Sequence, residues 1–405
     1  MMRRRALPFL FVLATLARAP AQFGAIIGSP ATVLALWLIV IGGVVVDRVV
    51  VHRHGVDRLA ATLAGLLAIR AVLSVGALAR SVPGATSFVS AALSGALTVL
   101  AGAALYRRDG RSLVVAFTTV TAALAIGGIV LVAADTVHVH VPGHTFTMQV
   151  ATNRTATVTP LGIFEDYSRV GTRVLRLQSF FDEPGTASMV FVPAAAIAVV
   201  ARRRRHAAVL ALAGALTFSL GAIAGLMFGT AVAVVRGRRG RWVAYAIGTV
   251  LGGLGTVLAI PPLTHYVVKK FFGGSDGLTS LGQRIDELSK VARPDSLVGS
   301  KDPISIGPLN QIRVLGYGDV PVEVLLIGVQ LQGFVRSLHL KPIALSLGIA
   351  SLTLLGIQRI DPLSFPSAAL ALYLLQRLAR TATTAAATTP IGGVAGTLRP
   401  IGVRG

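Results

Sequence analysis

The chain has 405 residues, of which 54% are hydrophobic and 13% are charged, and its mean hydropathy is +0.74. These values exclude a water-soluble globular protein, in which about 25% of the residues are charged. Lys and Arg outnumber Asp and Glu by 38 to 16, but they stand in short clusters between apolar runs and not in one patch. Such spacing is typical of charge that flanks membrane helices and argues against nucleic-acid binding. Because the chain has no cysteine, disulfide bonds and thiolate metal ligands are also excluded.

The chain opens with a basic start and an apolar core, MMRRRALPFLFVLATLARAPA. This pattern fits an uncleaved first membrane helix, and it also fits a signal peptide with small residues at Ala17, Ala19 and Ala21. Both interpretations start residue 26 on the outer side of the membrane, so the predicted topology of the rest of the chain is the same for both.

Apolar runs of about the length that crosses a bilayer follow along the chain. The clear ones are 26–46, 58–79, 84–105, 112–134, 186–201, 242–262, 320–335, 342–357 and 364–379. The stretch 206–235 is too long for one crossing and has arginine clusters at both ends, so we predict two short helices that meet at the outer face near Ser219. The sequence therefore predicts an all-α polytopic membrane protein with about 12 transmembrane helices.

The distribution of charge predicts the orientation. The predicted inner segments carry a net charge of +20 and the outer ones +1, as the positive-inside rule requires when both termini are cytoplasmic. Arg70 is the one charged residue that we expect deep within a span. We expect a multi-pass protein of the cytoplasmic (inner) membrane.

This topology divides the chain into six parts. They are N-terminal transmembrane helices (1–134), a first extracytoplasmic loop (135–185), central helices (186–262), a second extracytoplasmic loop (263–319), C-terminal helices (320–380) and a cytoplasmic tail (381–405). The Thr/Ala-rich stretch 381–390 predicts that the tail is disordered.

The two long loops have different sequence patterns. The alternation in VHVHVPGHTFTMQVATNRTATVTP predicts a β-hairpin with Pro142-Gly143 near its turn. Farther on, Arg169, Arg173 and Arg176 are four and three residues apart, which predicts a helix. In the second loop, LTSLGQRIDELSKVAR also predicts a helix, with Thr279 or Ser280 as its N-cap.

The histidines of the first loop are weak candidates for a metal site. His138 and His140 would share a strand face near His144, but three or four convergent ligands are needed and no partner set such as HExxH is present. Phosphate-loop and dinucleotide-binding motifs are absent too. We expect no metal and no cofactor.

Basic residues in the outer loops are candidate anion-binding groups, because guanidinium offers a planar fork of donors that matches phosphate oxygens. They are Arg169, Arg173 and Arg176 in the first loop, and Arg284, Lys290, Arg293 and Arg313 in the second. Alternatively, they pair with nearby acids and tie the loops down. Asp182 and Glu183 stand where the first loop re-enters the membrane, where a carboxylate is costly unless it is paired or used. Glu183 could be a general base for an acceptor hydroxyl, or the pair could orient Arg176.

Several segments together resemble the O-antigen polymerase and ligase superfamily of GT-C-like membrane glycosyltransferases. They are RLQSFFDEPGTASMVFVPAAAIAVV, the helix that ends in LTFSLGAIAGLMFG, the loop segment SLGQRIDEL, and LGYG followed by GVQLQGF. The resemblance covers roughly residues 165–335, and Arg-x-x-x-Phe-Phe-Asp-Glu-Pro-Gly is its most distinctive motif.

The resemblance implies that Arg176 and Arg284 engage the lipid pyrophosphate and the acceptor sugar, with Arg173 as a neighbour of the first. The family's ligases carry a histidine before the helix that follows the large loop, whereas this chain has Gly318-Asp319-Val320-Pro321. This difference favours a polymerase, or an unassigned relative of the family, over a ligase. This chain also departs from the family's Ser-Arg-Gly turn, since Leu220 and not arginine follows Ser219.

The sequence and the resemblance together predict a metal-independent polymerase that joins polyprenyl-pyrophosphate-linked glycan units at the outer membrane face. Its partners would be this donor, a glycan acceptor and membrane lipid, with no nucleic acid. Ligase-like transfer to another acceptor and a transporter or flippase for an anionic lipid-linked substrate are the alternatives. The predicted catalytic residues are Arg176, Arg284 and Glu183, and the predicted substrate-binding residues are Arg169, Arg173, Asp182, Lys290, Arg293, Arg313 and Asp319.

Overall fold

The computed structural model of this chain is mostly helical. It describes residues 2–18, 29–51, 55–82, 85–149, 153–164, 169–170, 174–181, 184–217, 219, 289–291, 293–296, 298–300, 307–338, 340, 343–358 and 365–387. The predicted span 242–262 and the second half of 206–235 lie outside these residues.

Ten α-helices run through the described part of the chain. They are α1 (Met2–Ala17), α2 (Pro30–Val45), α3 (Arg58–Ala79), α4 (Ala85–Thr136), α5 (Pro184–Val200), α6 (Arg204–Leu216), α7 (Gly307–Leu315), α8 (Val320–Leu338), α9 (Ile343–Gln358) and α10 (Pro366–Ala387). A π-helical turn, Val46–Val51, continues α2. The N-terminus of α2 is capped by the Ser29 hydroxyl, which accepts a hydrogen bond from the Thr32 amide, and that of α3 by the Asp57 carboxylate in the same way.

Four segments in the described residues are long and apolar enough to cross a membrane: Ala31–Val51, Arg58–Ala79, Phe88–Thr136 and Tyr317–Leu338. Their surfaces expose large apolar side chains, such as Ile39 at 69% and Val72 at 71%. Contiguous apolar surface on long helices costs free energy in water and none against lipid. These helices are therefore typical of a membrane-embedded protein.

The longest helix, α4, is two helical segments that meet at Asp109, where the backbone leaves the helical region (φ −126°, ψ 35°). A straight helix of 52 residues would be about 78 Å long, more than twice the roughly 30 Å of a bilayer core. The break therefore divides α4 into two lengths that each suffice for one crossing, in agreement with the runs 84–105 and 112–134.

The core lies around α10. Every residue from Ala368 to Leu375 is at most 1% exposed, which explains why this helix is apolar on all sides over two turns. Close approach depends on small residues: a Cβ added to Gly102 would lie 2.9 Å from Leu370, and one added to Gly348 would lie 2.8 Å from Ala196. Helix α1 packs into the same core through Phe11, which is fully buried.

The first long loop contains two small antiparallel sheets. Strands β1 (His144–Gln149), β2 (Asn153–Thr159) and β3 (Gly162–Phe164) form one in the order β1-β2-β3, and β4 (Arg169–Val170) pairs with β5 (Val174–Leu175) in the other. The predicted hairpin turn is wrong, because the chain reverses between Gln149 and Asn153. Pro142-Gly143 precedes β1 instead, and Gly143 lies against β2, where a Cβ would be 2.5 Å from the Val158 carbonyl oxygen.

Two further local predictions are wrong. The spacing of Arg169, Arg173 and Arg176 predicted a helix, but the chain forms β4 and β5 there, with Val170 paired to Val174. Three residues at helical intervals are a weak signal beside β-branched residues that pair across strands. The tail is also not wholly disordered, because α10 continues to Ala387. Alanine favours helix, and the Thr381 and Thr383 hydroxyls donate to carbonyls one turn earlier.

Candidate functional site at the loop end of the bundle

The loop end of the bundle is the end of α3 that carries Arg80, together with the parts of both long loops that pack near the helix ends. In the second loop, the Ser300 amide donates to the Arg313 carbonyl at 2.7 Å. The Tyr317 hydroxyl donates to the Val291 carbonyl at 2.9 Å, and the Arg80 guanidinium donates to the Leu315 carbonyl at 3.5 Å. The first two bonds hold Ser300 and Val291 against α7 and the turn that follows it, and the third holds the end of α7 against the end of α3.

A turn at Gly316 directs Asp319 into the bundle. Gly316 has φ 96°, a value that favours glycine, and it ends α7 before the 3-10 turn Tyr317–Asp319 begins α8. The Asp319 side chain is fully buried, although its neighbours Tyr317 and Gly318 are exposed. The predicted substrate-binding residue Asp319 therefore points into the protein and not toward the loop surface.

Asp319 belongs to a buried ionic cluster with Arg70 and Glu323. The Arg70 guanidinium donates to both Asp319 carboxylate oxygens at 3.2 Å, from Nε and Nη2, and its Nη2 lies 2.6 Å from Glu323 Oε1. The three side chains are at most 4% exposed. A buried charge is costly unless partners are close, so removal of Arg70 would leave both carboxylates uncompensated. Our expectation that Arg70 is the one deep charge is wrong, because Glu323 lies one turn inside α8 beside it.

Arg313 is buried and paired within the second loop. Its Nη1 and Nη2 donate to the two Asp295 carboxylate oxygens at 2.6 and 2.7 Å, and Nη1 also donates to the Lys290 carbonyl at 2.7 Å. These hydrogen bonds hold the pKa of Asp295 below its ordinary value. The Asp295 carboxylate therefore occupies the fork of Arg313 that we expected to bind an anion, as in our alternative that the loop arginines tie the loops down.

Arg176 belongs to the part of the loop end that the first loop forms, where this loop approaches α5. Its Nε donates to the Thr217 carbonyl at 3.1 Å, and the neighbouring Leu177 amide donates to the Leu216 carbonyl at 2.9 Å. The residue is 9% exposed. The end of the first loop is thus held against the end of α6, next to Ser219, where we predicted that two short helices meet.

For the remaining predicted site residues that it describes, the structure gives an exposure or a backbone position. Lys290 is half-buried and Arg293 is exposed. Arg169 has a described backbone in β4. Arg173, Asp182, Glu183 and Arg284 lie outside the described residues, as does nearly all of the predicted helix that contains Arg284. The role that the resemblance implies for Arg176 and Arg284 together, at the lipid pyrophosphate and the acceptor sugar, therefore stays a prediction.

The histidines of the first loop are exposed, and they do not share a strand face, because β1 begins only at His144 and His138 has a left-handed backbone (φ 57°). Within the part of the chain that the structure describes, no three His, Asp or Glu side chains come close enough to hold a metal ion.

Sequence reasoning missed two acids of the loop end. Glu323 could have been found, because a carboxylate one turn inside an apolar run is costly without a partner and so marks a site. Asp295 gave no such signal, since its loop is rich in polar residues and its pairing with Arg313 spans 18 residues. No protein-family model matches this chain, and neither a curated protein nor a solved structure is similar enough to count as a match.

Proposed function

We propose that this protein is a membrane glycosyltransferase of the polymerase type. It joins lipid-pyrophosphate-linked oligosaccharide units of an O-antigen or exopolysaccharide at the outer face of the cytoplasmic membrane. The reaction takes place at the loop end of the bundle and needs neither a metal nor a nucleotide. Ligase-like transfer to a different acceptor would use the same chemistry.

The pyrophosphate of the donor is its own leaving group in this reaction. An acceptor hydroxyl oxygen forms the new bond to the anomeric carbon, and the bond from that carbon to the pyrophosphate oxygen breaks. The hydroxyl proton passes to a carboxylate, for which Glu183 is our candidate. Arg176 and Arg284 bind the pyrophosphate and stabilise the negative charge that develops on it.

The observation that carries this proposal is the position of Arg176. It is a largely buried guanidinium whose Nε is anchored to the Thr217 carbonyl at the end of α6. Arg176 stands six residues before Asp182, the first residue of the Asp-Glu-Pro-Gly segment that leads into α5. An arginine anchored through Nε keeps a fixed orientation, and a fixed fork is what bidentate binding of a phosphate requires.

Substitution of Arg176 tests the proposal. Arg176→Lys keeps the charge and loses the fork, so we expect it to be impaired nearly as much as Arg176→Ala, by about 100-fold or more. The assay is the length of polymer made from a purified lipid-linked oligosaccharide, with Arg108→Lys, an exposed arginine of α4, as the matched control. Full-length polymer from both Arg176 variants would contradict the assigned role.

The buried cluster of Arg70, Asp319 and Glu323 favours a second candidate, a transporter or flippase for an anionic lipid-linked substrate. Ionisable groups deep in a membrane protein are frequent in transport pathways. Flux of a labelled lipid-linked glycan across reconstituted vesicles, with no change in its length, would favour transport. A Glu323→Gln variant that folds but has lost this flux would show that the buried cluster takes part in transport.

A further inference from the structure

A cavity lies at the opposite end of α3 from the loop end. It has a volume of about 280 Å³ and is lined by Gly55, Asp57, Ala103, Tyr106, Arg107, Tyr373 and Arg377. Asp57 caps the start of α3, and 22 helical residues separate it from Arg80 at the loop end. The cavity, which we name the arginine cavity, is therefore about 33 Å from Arg80 at the loop end.

The acid in the lining of the cavity is already used by the fold. One Asp57 carboxylate oxygen accepts from the Ala60 amide at 2.9 Å, which caps α3, and the other accepts from the Tyr373 hydroxyl at 2.8 Å. Arg377 approaches this second oxygen only to 3.7 Å. The single negative charge of Asp57 thus interacts with the N-terminus of α3, the Tyr373 hydroxyl and the Arg377 guanidinium.

Positive charge exceeds this one acid around the cavity. Arg377 lies over the Tyr106 ring at 5.7 Å and is a third exposed, and its Nε has no hydrogen-bond partner among the described residues. The Arg107 Nη1 donates to the Gly55 carbonyl at 2.9 Å and the side chain is exposed. Two arginines of the lining, Arg107 and Arg377, therefore accompany a single carboxylate, an arrangement that an anion would stabilise.

We propose that the arginine cavity binds the phosphate of an anionic phospholipid headgroup. Arginine offers donors in the geometry that phosphate oxygens accept, and the half-buried Tyr106 supplies an amphipathic ring of the kind that lies at the level of headgroups. The cavity stands where α3 begins and the first segment of α4 ends, so a lipid whose tails lie along these helices brings its phosphate to Arg107 and Arg377. This proposal is independent of the proposed transferase activity, which belongs to the other end of the bundle.

Native mass spectrometry of the full-length protein in detergent tests the proposal, with phosphatidylglycerol, phosphatidylcholine and inorganic phosphate as probes. We expect phosphatidylglycerol to bind at least about 10-fold more tightly than phosphatidylcholine. Arg107→Gln and Arg377→Gln should each weaken it about 10-fold, because each removes a charge-assisted hydrogen bond. Arg108→Gln removes a neighbouring exposed charge outside the cavity and should change the affinity by less than about 2-fold.

Equal losses in Arg107→Gln and Arg108→Gln would overturn the proposal, because attraction to the general positive surface would then explain binding. Equal binding of the two lipids would overturn it too. Displacement of phosphatidylglycerol by millimolar inorganic phosphate would assign the cavity to a soluble phosphate and not to a lipid. Arg377 also contacts Asp57 and Tyr106, so Arg107→Gln, at an exposed side chain, decides the outcome if Arg377→Gln fails to fold.

Discussion

At the scale of single residues, ion pairs organise the loop end of the bundle. Arg70 contacts the two buried acids Asp319 and Glu323, and Arg313 contacts the half-exposed acid Asp295. In both cases a buried guanidinium from one helix holds a carboxylate that another segment presents. These pairs determine where the second loop and the start of α8 lie, and so determine the geometry of any site between them.

Removal of the central arginine should destabilise the protein strongly. Arg70→Met leaves Asp319 and Glu323 buried without their guanidinium, which we expect to lower the free energy of unfolding by about 3–5 kcal/mol. Thermal unfolding in detergent measures the change, with Arg58→Met, at the exposed first residue of the same helix, as the control. Neutral partners should recover part of the loss, so Arg70→Met combined with Asp319→Asn and Glu323→Gln should melt above Arg70→Met alone. Equal melting temperatures of Arg70→Met and the wild type would contradict this account.

The pair of Asp295 and Arg313 should make stability depend on pH. Because Arg313 lowers the pKa of Asp295 in the folded state, the stabilisation is present above the unfolded-state pKa of about 3.9 and is lost as pH falls through the lower folded-state value. Asp295→Asn should therefore melt below the wild type at pH 7, and the difference should shrink as the pH falls below about 4. A difference between the two proteins that stays constant from pH 7 to pH 3 would show that ionisation of Asp295 is not involved.

At the scale of elements, one arginine in a run of four docks a helix. Arg203 precedes α6, and its Nη1 lies 2.8 Å from the Val115 carbonyl and 2.7 Å from the hydroxyls of both Thr118 and Thr119 in α4. Its neighbours Arg204 and Arg205 are exposed. The positive-inside rule predicts a topological role for the run as a group, whereas the docking of α6 on α4 depends on Arg203.

Alanine substitutions within this run should separate the two purposes. We expect Arg203→Ala to lower the free energy of unfolding by about 1–3 kcal/mol, because three acceptors on α4 lose their charged donor. Arg205→Ala removes the same charge from an exposed site and should cost less than about 0.5 kcal/mol. Thermal unfolding of both variants in one detergent makes the comparison. Similar melting temperatures for the two would mean that the contacts of Arg203 contribute nothing measurable.

At the scale of the whole molecule, the bundle has two chemically different ends. The loop end carries the candidate transfer residues and buried acid–arginine pairs, and the end with the arginine cavity carries positive charge in excess. The charge distribution of the sequence predicts that the arginine-rich end faces the cytoplasm.

Cysteine labelling in intact cells tests this orientation. Val298, in the second loop, is 68% exposed, and Arg205 is exposed at the end where α6 begins. Since the chain lacks cysteine, a membrane-impermeant thiol reagent should label only an introduced residue. We expect labelling of Val298→Cys in intact cells and of Arg205→Cys only after lysis. The reverse labelling pattern would show that the protein has the opposite orientation to the predicted one.

Much of the helical architecture could be predicted from the sequence. The bounds of α5, α8 and α9 agree within about three residues with the apolar runs 186–201, 320–335 and 342–357, because run length and flanking charge are local properties of a chain in a bilayer. The break at Asp109 also falls in the polar interval between two runs.

The contacts of the candidate site were decided by the tertiary structure. Arg70 and Asp319 are 249 positions apart, so no local pattern could pair them. The strands at Arg169 and Val174 replaced a predicted helix because pairing across strands outweighs three residues at helical spacing. The sequence by itself determined which segments are apolar enough to span a membrane, since burial in lipid depends on composition. Only the folded chain decided which charges meet, because a buried charge is stable only beside partners that distant segments supply.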